Sequence, residues 1–274
     1  MSFLRGLTYR PEVITLARRL GLRSILRKGY YWWVRPRDGK LQVELAGISA
    51  QFYVRTPEEL RMLGKAKSGY WERDVLQFLA EELRPGDVVY DVGAYVGFYT
   101  VVLAKSLGAS GQVIAFEPET QTCAHLQDNL ALNSLSNVRV FQVALGDHSG
   151  EANLYCAGED LLFSNMIRPR SKNSSLQVVK VMRGDDFREA ENLPVPQAVK
   201  IDVEGYEYAV LCGLRRTLSD PSCRIVSCEV HPTLLSPDVR PEQIHELLGS
   251  LGFNRIDIRR APDIPEYHAL ASKA

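Results

Sequence analysis

The sequence predicts an α/β fold, a mostly parallel sheet with helices on both faces. From Val88 onward, short runs rich in Val and Ile alternate with longer segments of helical periodicity. This pattern is typical of parallel strands joined by crossover helices. Of the 274 residues, 45% are hydrophobic and 24% are charged, which allows a sizeable core. The length fits one large domain, or one domain with an extension.

The core elements follow one another along the chain. Five runs are predicted strands: Val88–Val92, Val113–Phe116, Val138–Ala144, Ala198–Asp202 and Ile225–Val230. Four segments are predicted helices: Tyr99–Leu107, Glu119–Leu132, Tyr206–Leu218 and Pro241–Leu251. The last two apolar runs, Asn254–Ile258 and Tyr267–Ala271, are predicted to form a terminal hairpin.

Two regions lie outside this alternation. Glu151–Cys156 and Gln177–Met182 are predicted as strands added to the core. Upstream of the core, a basic amphipathic helix, a hairpin and a helical region are predicted at Pro11–Lys28, Leu41–Val54 and Leu60–Leu83. We therefore expect an N-terminal extension over residues 1–65 and a core domain over residues 66–274.

The N-terminal segment is strongly basic, although the whole chain has a net charge of zero. Residues 1–40 hold ten Lys and Arg against two acidic residues, and "RKGYYWWVRPR" sets four aromatic residues among arginines. Such a surface suits anionic lipid head groups, sugars or RNA. The alternative is that the aromatic side chains pack on the core or on a second subunit, in a homodimer, while the arginines are solvated.

Cysteine usage and hydropathy predict the compartment. The five cysteines are odd in number and form no C-x-x-C pair, which indicates reduced thiols rather than a disulfide framework. The N-terminus lacks the apolar stretch of a signal peptide, and no run of about 18 apolar residues occurs. We expect a cytoplasmic protein.

A glycine-containing turn follows the first core strand. "VVYDVGAYVGFYT" places Asp91, Gly93 and Gly97 between a strand and a helix, where the backbone can approach a ligand and helix N–H groups are free. The spacing matches neither the dinucleotide fingerprint nor the P-loop. By itself the turn fits tight strand–helix packing equally well.

The next two strand ends favour a nucleoside ligand. Glu117 ends the second strand about twenty residues after Gly97, the position of a carboxylate that accepts ribose hydroxyls. At the end of the third strand, Ala144 and Leu145 are placed to contact an adenine ring, with Asp147 as a polar partner. Together with the turn, these residues predict a nucleoside site.

Five segments follow one another between about Tyr70 and Pro232: "DVGAYVGFYT", "AFEP", "NVRVFQVALGD", "VKIDVEGYEYAVLCG" and "CEVHP". In this order they resemble the FkbM family of S-adenosylmethionine-dependent methyltransferases. The resemblance implies a class I methyltransferase fold with a seven-stranded, Rossmann-like sheet in the core domain. It also implies a binding site for the cofactor S-adenosylmethionine. The residues of this site are Glu72, Asp91, Gly93, Ala94, Tyr95, Gly97, Glu117, Ala144 and Asp202.

Two pairs of ionisable residues end the fourth and fifth strands. Asp202 and Glu204 are two residues apart, as are Glu229 and His231, so each pair leaves its strand on one face. If the two strands are neighbours, all four side chains enter one cleft as candidate catalytic residues.

Two mechanisms fit this cleft, and a purely structural role for the cluster is a third interpretation. In one mechanism His231, with a near-neutral pKa, is a general base oriented by a carboxylate. In the other, Asp202 and Glu229 bind Mg²⁺ or another hard cation that lowers the pKa of the acceptor. The other four histidines, His125, His148, His245 and His268, are predicted at surface or helix positions.

We expect a methyltransferase that modifies a hydroxyl of a small molecule or glycoside. One rival is an RNA or protein methyltransferase that uses residues 1–40 as its docking surface. The other rival is a nucleoside-binding module without catalysis.

Overall fold

The computed structural model describes residues 29, 31, 32, 35–45, 47–67, 72–156, 175–260 and 264–273. The predicted basic helix at Pro11–Lys28 and most of the aromatic segment lie outside this described part. No helix among the described residues is both long enough and apolar enough to cross a bilayer.

A seven-stranded sheet forms the centre of the molecule, as the fold class predicts. Its strands are β3 (Val88–Val92), β4 (Gln112–Phe116), β5 (Val138–Phe141), β9 (Ala198–Ile201), β10 (Ile225–Val230), β11 (Arg255–Arg260) and β12 (Tyr267–Ser272). Their order across the sheet is β11-β12-β10-β9-β3-β4-β5. The pairs among β5, β4, β3, β9 and β10 are parallel, and β12 is antiparallel to both neighbours. The terminal hairpin is thus confirmed.

Helices cover both faces of the sheet. Their bounds are α1 Pro57–Lys67, α2 Glu72–Glu82, α3 Phe98–Leu107, α4 Thr120–Leu132, α5 Gly184–Ala190, α6 Glu207–Gly213, α7 Arg215–Ser219 and α8 Pro241–Ser250. Two hydrophobic clusters lie on opposite sides of the sheet, one centred on α6 and α8 and the other on α2 and α3. The four central strands are almost entirely buried, which explains their continuous Val/Ile runs.

The third core strand is shorter than predicted. The predicted strand Val138–Ala144 divides into β5, which ends at Phe141, and β6 (Ala144–Gly146), which joins a separate sheet with the order β6-β8-β7. The added strands are present as β7 (Gly150–Cys156) and β8 (Ser175–Arg183). The chain leaves the main sheet here because β6 pairs with β8 instead of β4.

The predicted helix Tyr206–Leu218 divides at Leu214. Gly213 closes α6, and a Cβ there would lie 1.7 Å from the carbonyl oxygen of Gly146. The helix end therefore packs directly on the backbone of β6. Residue 213 must be a glycine for this approach.

The N-terminal hairpin packs on the core. Strands β1 (Lys40–Leu45) and β2 (Ile48–Tyr53) are antiparallel, as predicted. Apolar side chains of both strands, such as Val43 and Phe52, are buried in the cluster that contains α2 and α3. Helix α1 runs across residue 65, so the division of the chain at this residue stays a prediction.

Candidate active site

The turn after β3 forms where two strands approach each other closely. Gly93 has φ +80°, and a Cβ there would lie 1.8 Å from the carbonyl oxygen of Asp202. The N–H groups of Gly93 and Ala94 both donate to the carbonyl oxygen of Phe116. Tyr95 has φ +50° and Gly97 φ +87°, so the turn uses left-handed conformations at three positions. It is tied to β4 on one side and to β9 on the other.

Glu117 follows β4, and its carboxylate contacts this turn. Its carboxylate accepts the N–H of Tyr95 at 2.8 Å and the N–H of Glu119 at 3.0 Å. The residue is buried, and burial raises the pKa of its carboxyl group to about 7 despite these two hydrogen bonds. Its remaining lone pairs are free of these backbone donors and can accept hydroxyl groups.

A buried lysine joins β3 to β9. Lys200 Nζ lies 3.3 Å from Asp91 Oδ1 and 3.4 Å from Asp202 Oδ2. It also donates to the carbonyl of Gly93 at 3.2 Å. Burial alone would lower the pKa of Lys200, but the carboxylates of Asp91 and Asp202 raise it above its usual value. Lys200 was not among the predicted site residues. Its two-residue spacing from Asp202, which places both on one face of β9, was the available signal.

His231 and the carboxylates after β9 lie together, because β9 and β10 are neighbouring parallel strands. His231 Nε2 is 3.5 Å from Glu204 Oε2 and 3.9 Å from Asp202 Oδ1. On the other side of the ring, Nδ1 is 2.7 Å from Glu207 Oε1. Glu204 has φ +51°, a strained conformation for a residue with a side chain.

Glu207 is the carboxylate that orients the imidazole ring. It begins α6, is fully buried, and accepts the N–H of Gly205 at 2.8 Å as well as the His231 contact. Because a carboxylate only accepts, Nδ1 of His231 carries the proton and Nε2 faces Asp202 and Glu204. Sequence reasoning missed Glu207, since it considered only carboxylates at the strand ends.

The pKa of His231 differs from the near-neutral value that the sequence suggested. Burial alone would lower this pKa, but the hydrogen bond to Glu207 and the carboxylates of Glu204 and Asp202 raise it to about 10. The residue is therefore an imidazolium at neutral pH in this environment. This correction follows from carboxylates on both sides of the ring.

Glu229 of β10 lies beside a second histidine. Burial raises the pKa of Glu229 well above its usual value, and the carboxylate of Asp202 adds to this effect. Its Oε2 is 3.7 Å from Nε2 of His268, the residue opposite it on β12. His268 is buried, and burial lowers its pKa to about 3. The expectation of a surface or helix position for His268 is therefore wrong, because β12 inserts beside β10.

A family model described as "Methyltransferase FkbM domain" matches residues 91–255. The chain belongs to the FkbM methyltransferase family. It is an S-adenosylmethionine-dependent methyltransferase, as the motifs predicted, and the match includes the turn after β3 and the ends of β9 and β10.

Named relatives include two methyltransferases. The hexuronic acid methyltransferase AglP of Haloferax volcanii is 28% identical over 211 residues, which cover 76% of this chain and 82% of AglP. The 31-O-demethyl-FK506 methyltransferase FkbM of Streptomyces tacrolimicus is 28% identical over 179 residues, covering 55% of this chain and 67% of that protein. A solved methyltransferase from Streptococcus mutans in complex with SAH aligns over 74% of this chain and 97% of that chain, at 12% identity and a TM-score of 0.49.

The acidic residues of this FkbM methyltransferase fit the chemistry of S-adenosylmethionine. The cofactor carries a sulfonium cation, which nearby carboxylates stabilise. It also carries a ribose diol, which a correctly oriented carboxylate can bind through hydrogen bonds. Asp91 and Asp202 lie within 3.4 Å of Lys200, and Glu117 is buried and held by backbone N–H groups. The charges are thus concentrated around the turn.

The two remaining predicted cofactor residues, Ala144 and Glu72, begin elements outside the seven-stranded sheet. Ala144 begins β6, opposite Val181 of β8, and so lies outside the seven-stranded sheet. Glu72 begins α2, and its side chain lies outside the described part of the structure.

Asp202, Glu229 and His231 also form a candidate metal site. Each offers one ligand atom, and these three atoms lie within 4.8 Å of one another. The two carboxylates suit a hard cation such as Mg²⁺, whereas the imidazole suits transition metals better. Among the described residues, this is the cluster whose donor atoms lie close enough to share an ion.

Proposed function

We propose that this FkbM methyltransferase methylates a hydroxyl group of a small molecule or a glycoside. The named relatives support this proposal in different ways, since AglP is named for a sugar, a hexuronic acid, and FkbM for 31-O-demethyl-FK506, a small molecule that lacks a methyl group on an oxygen. The observation that carries the proposal is the environment of His231. One ring nitrogen is held by Glu207, and the other faces the carboxylates of Asp202 and Glu204. This arrangement can orient a hydroxyl group and receive its proton.

We place the cofactor against the turn after β3. When bound, S-adenosylmethionine supplies a methyl group on a sulfonium centre whose product is a neutral thioether. Glu117 is proposed to accept the ribose hydroxyls. The residues proposed to surround the ribose and methionine parts are Asp91, Gly93, Ala94, Tyr95, Gly97 and Asp202, with Glu72 and Ala144 as further cofactor contacts.

His231 is proposed to accept the acceptor's proton at Nε2 while Nδ1 keeps its own proton on Glu207. This role requires the neutral imidazole, whereas the surrounding carboxylates favour the imidazolium. A positive charge bound beside Asp202 opposes the imidazolium and lowers this pKa. Binding of a cationic ligand therefore prepares His231 to act as a base.

Metal assistance is the second mechanism, carried by the cluster of Asp202, Glu229 and His231. A cation held there would neutralise Asp202 and Glu229 and lower the pKa of a coordinated hydroxyl. In this mechanism His231 would be a metal ligand, and activity would depend on Mg²⁺ or another divalent ion.

Two other predictions remain as alternatives: RNA or protein methylation, and membrane or dimer contacts through residues 1–40. The alternative of a nucleoside-binding module without catalysis does not agree with membership of a methyltransferase family. The basic segment on which the docking alternatives rest is almost wholly outside the described residues. The names of the relatives AglP and FkbM favour a sugar or small-molecule acceptor over these alternatives.

The test is transfer of a labelled methyl group from S-adenosylmethionine to pooled acceptors. The pools are hexuronic acid glycosides, neutral glycosides and hydroxylated small molecules, each paired with a pool whose hydroxyl groups are already methylated. We expect label in at least one hydroxyl pool and none in its blocked partner. Label in RNA or protein alone would overturn the proposed acceptor class. Transfer of label to a pool whose hydroxyl groups are already methylated would show that another atom accepts the methyl group.

A further inference from the structure

A row of polar side chains on α4 holds the N-terminal hairpin. His125, Asn129 and Asn133 are four residues apart and share one face of the helix. Asn133 accepts the N–H of Gln51 at 3.0 Å and donates to the carbonyl of the same residue at 2.6 Å. His125 lies 3.3 Å from Glu59, in the helix that follows the hairpin. The row therefore binds the edge of β2 that does not pair with β1.

Asn129 makes a second contact, which reaches the cofactor turn. Its side chain is fully buried, and Oδ1 accepts the N–H of Tyr53 in β2 at 2.8 Å. Its Nδ2 donates to the carbonyl of Val96, also at 2.8 Å. The opposite amide orientation would place donor against donor and acceptor against acceptor, so the two contacts together determine the orientation.

The turn is thus held from two directions at adjacent residues. Glu117 accepts the N–H of Tyr95, and Asn129 donates to the carbonyl of Val96. Tyr95 and Gly97, on either side of Val96, both have positive φ values. Left-handed backbone at a residue with a side chain persists only where its surroundings hold it. Both contacts therefore add to the backbone hydrogen bonds from Gly93 and Ala94 to Phe116 in holding the turn in this conformation.

We propose that Asn129 is a positioning residue for cofactor binding, coupling the N-terminal hairpin to the turn Gly93–Gly97. The proposal rests on the location of S-adenosylmethionine given under the proposed function. Asn129 holds the backbone of the turn in the conformation that aims Tyr95 and Glu117.

The first experiment compares Asn129→Ala with Asn133→Ala in the full-length chain. The probe is S-adenosylhomocysteine, and the measurement is its dissociation constant by calorimetry. We expect Asn129→Ala to raise the dissociation constant about tenfold, the effect of losing the one of its two buried hydrogen bonds that reaches the turn, at the carbonyl of Val96. Asn133→Ala loses two hydrogen bonds to the hairpin but has none to the turn, so its affinity should stay within about twofold of wild type. Equal effects in both variants, or none in Asn129→Ala, would overturn the proposal.

The second experiment needs no variant, and so remains informative if Asn129→Ala does not fold. If the turn and the hairpin are coupled, ligand binding at the turn must stabilise the Asn129 contact to β2. Hydrogen exchange of the wild-type protein should then show slower exchange of the Tyr53 amide when S-adenosylhomocysteine is bound. The Gln51 amide, held by Asn133, is the internal control and should change less. An unchanged Tyr53 amide contradicts the coupling.

A third variant separates the two proposals. Glu117→Ala tests the cofactor location without touching Asn129. If it leaves the dissociation constant unchanged, the cofactor lies elsewhere and both proposals fail. If it weakens binding while Asn129→Ala does not, the cofactor location stands and only the role of Asn129 fails.

Discussion

His231 has carboxylates on both sides of its ring, and they determine its charge. Glu207 both orients the ring and raises the pKa of His231, and Glu204 and Asp202 on the other side raise this pKa further. An imidazolium in this position stabilises three anions that would otherwise repel one another. The same residue thus supports the fold of the free site and is the candidate base after ligand binding.

Replacing His231 tests this dual role. If the residue is the base, His231→Ala should lower turnover by about 10²–10⁴-fold and leave the dissociation constant of S-adenosylhomocysteine within a few-fold of wild type. Turnover is measured on the acceptor found by the labelling assay. A melting curve for the variant is required, because the lost imidazolium leaves Glu207 buried without its partner.

The metal mechanism predicts a different set of results. Chelation should abolish wild-type activity and added Mg²⁺ should restore it, while Asp202→Asn and Glu229→Gln should be as damaging as His231→Ala. If all these variants, and Glu204→Gln, retain turnover within about threefold of wild type, the cluster is structural and neither mechanism applies.

Glu117 predicts how cofactor affinity depends on pH. Burial raises its pKa to about 7, so the carboxylate is largely protonated at pH 6 and largely ionised at pH 8. The ionised form accepts hydroxyl donors and favours a cationic ligand, so affinity should increase with pH through this range, by up to about tenfold. Calorimetry with S-adenosylmethionine at pH 6, 7 and 8 measures the trend. Glu117→Gln should bind more weakly and show no such trend, and an equal pH dependence in both proteins would assign it to another group.

At the scale of elements, the approach of β3 to β9 assembles the site. The Gly93 turn touches the backbone of Asp202, and Lys200 joins the two strands through Asp91 and Asp202. A side chain at residue 93 would push the strands apart, since the obstacle is backbone and cannot rotate away. The glycine is therefore required by packing as well as by its φ value.

Gly93→Ala should consequently destabilise the protein by at least about 3 kcal/mol, from steric overlap in addition to the left-handed backbone. Gly47→Ala is the matched control, because Gly47 has φ +78°, close to the +80° of Gly93, but a Cβ there would meet nothing within 4 Å. Its cost should be about 1–2 kcal/mol, from the backbone conformation alone. Denaturant unfolding of both variants measures the difference, and equal losses of stability would show that the close contact is unimportant.

At the scale of the whole molecule, the described groups that hold the turn all come from residues after the basic N-terminus. Residues 1–28 contain seven Lys and Arg against one Glu. The first described contacts to the core come later, for example from the hydroxyl of Tyr31 to the carbonyl of Val54 at 3.0 Å. The hairpin and Asn129 remain in a chain shortened by these 28 residues.

Deleting residues 1–28 should therefore leave S-adenosylhomocysteine affinity within about twofold of wild type, since the hydrogen bonds to the turn that the structure describes all come from later residues. If this segment contacts the acceptor or a surface that carries it, activity should fall while affinity for the cofactor is kept. Calorimetry and the labelling assay on the same preparation separate the two effects. Parallel loss of both would mean that the segment belongs to the core.

Much of the site could be predicted because its residues lie at the ends of strands. In parallel sheets these ends meet at one edge, so Asp202, Glu204, Glu229 and His231 were predicted to share a cleft before their distances were known. Ala144 shows the limit of this reasoning. Its position depends on β6 pairing with β8. The local run of apolar residues does not indicate which of the two sheets Ala144 joins.

The sequence by itself determined the fold class, the order of the strands' motifs and the family, because periodicity and spacing are properties of neighbouring residues. Only the tertiary structure decided that Glu207 holds His231, that Lys200 lies between Asp91 and Asp202, and that Asn129 joins the hairpin to the turn. It also decided the pKa values of Glu117 and His231. Those values depend on burial and on charges from distant parts of the chain, and these arise only once the elements have packed.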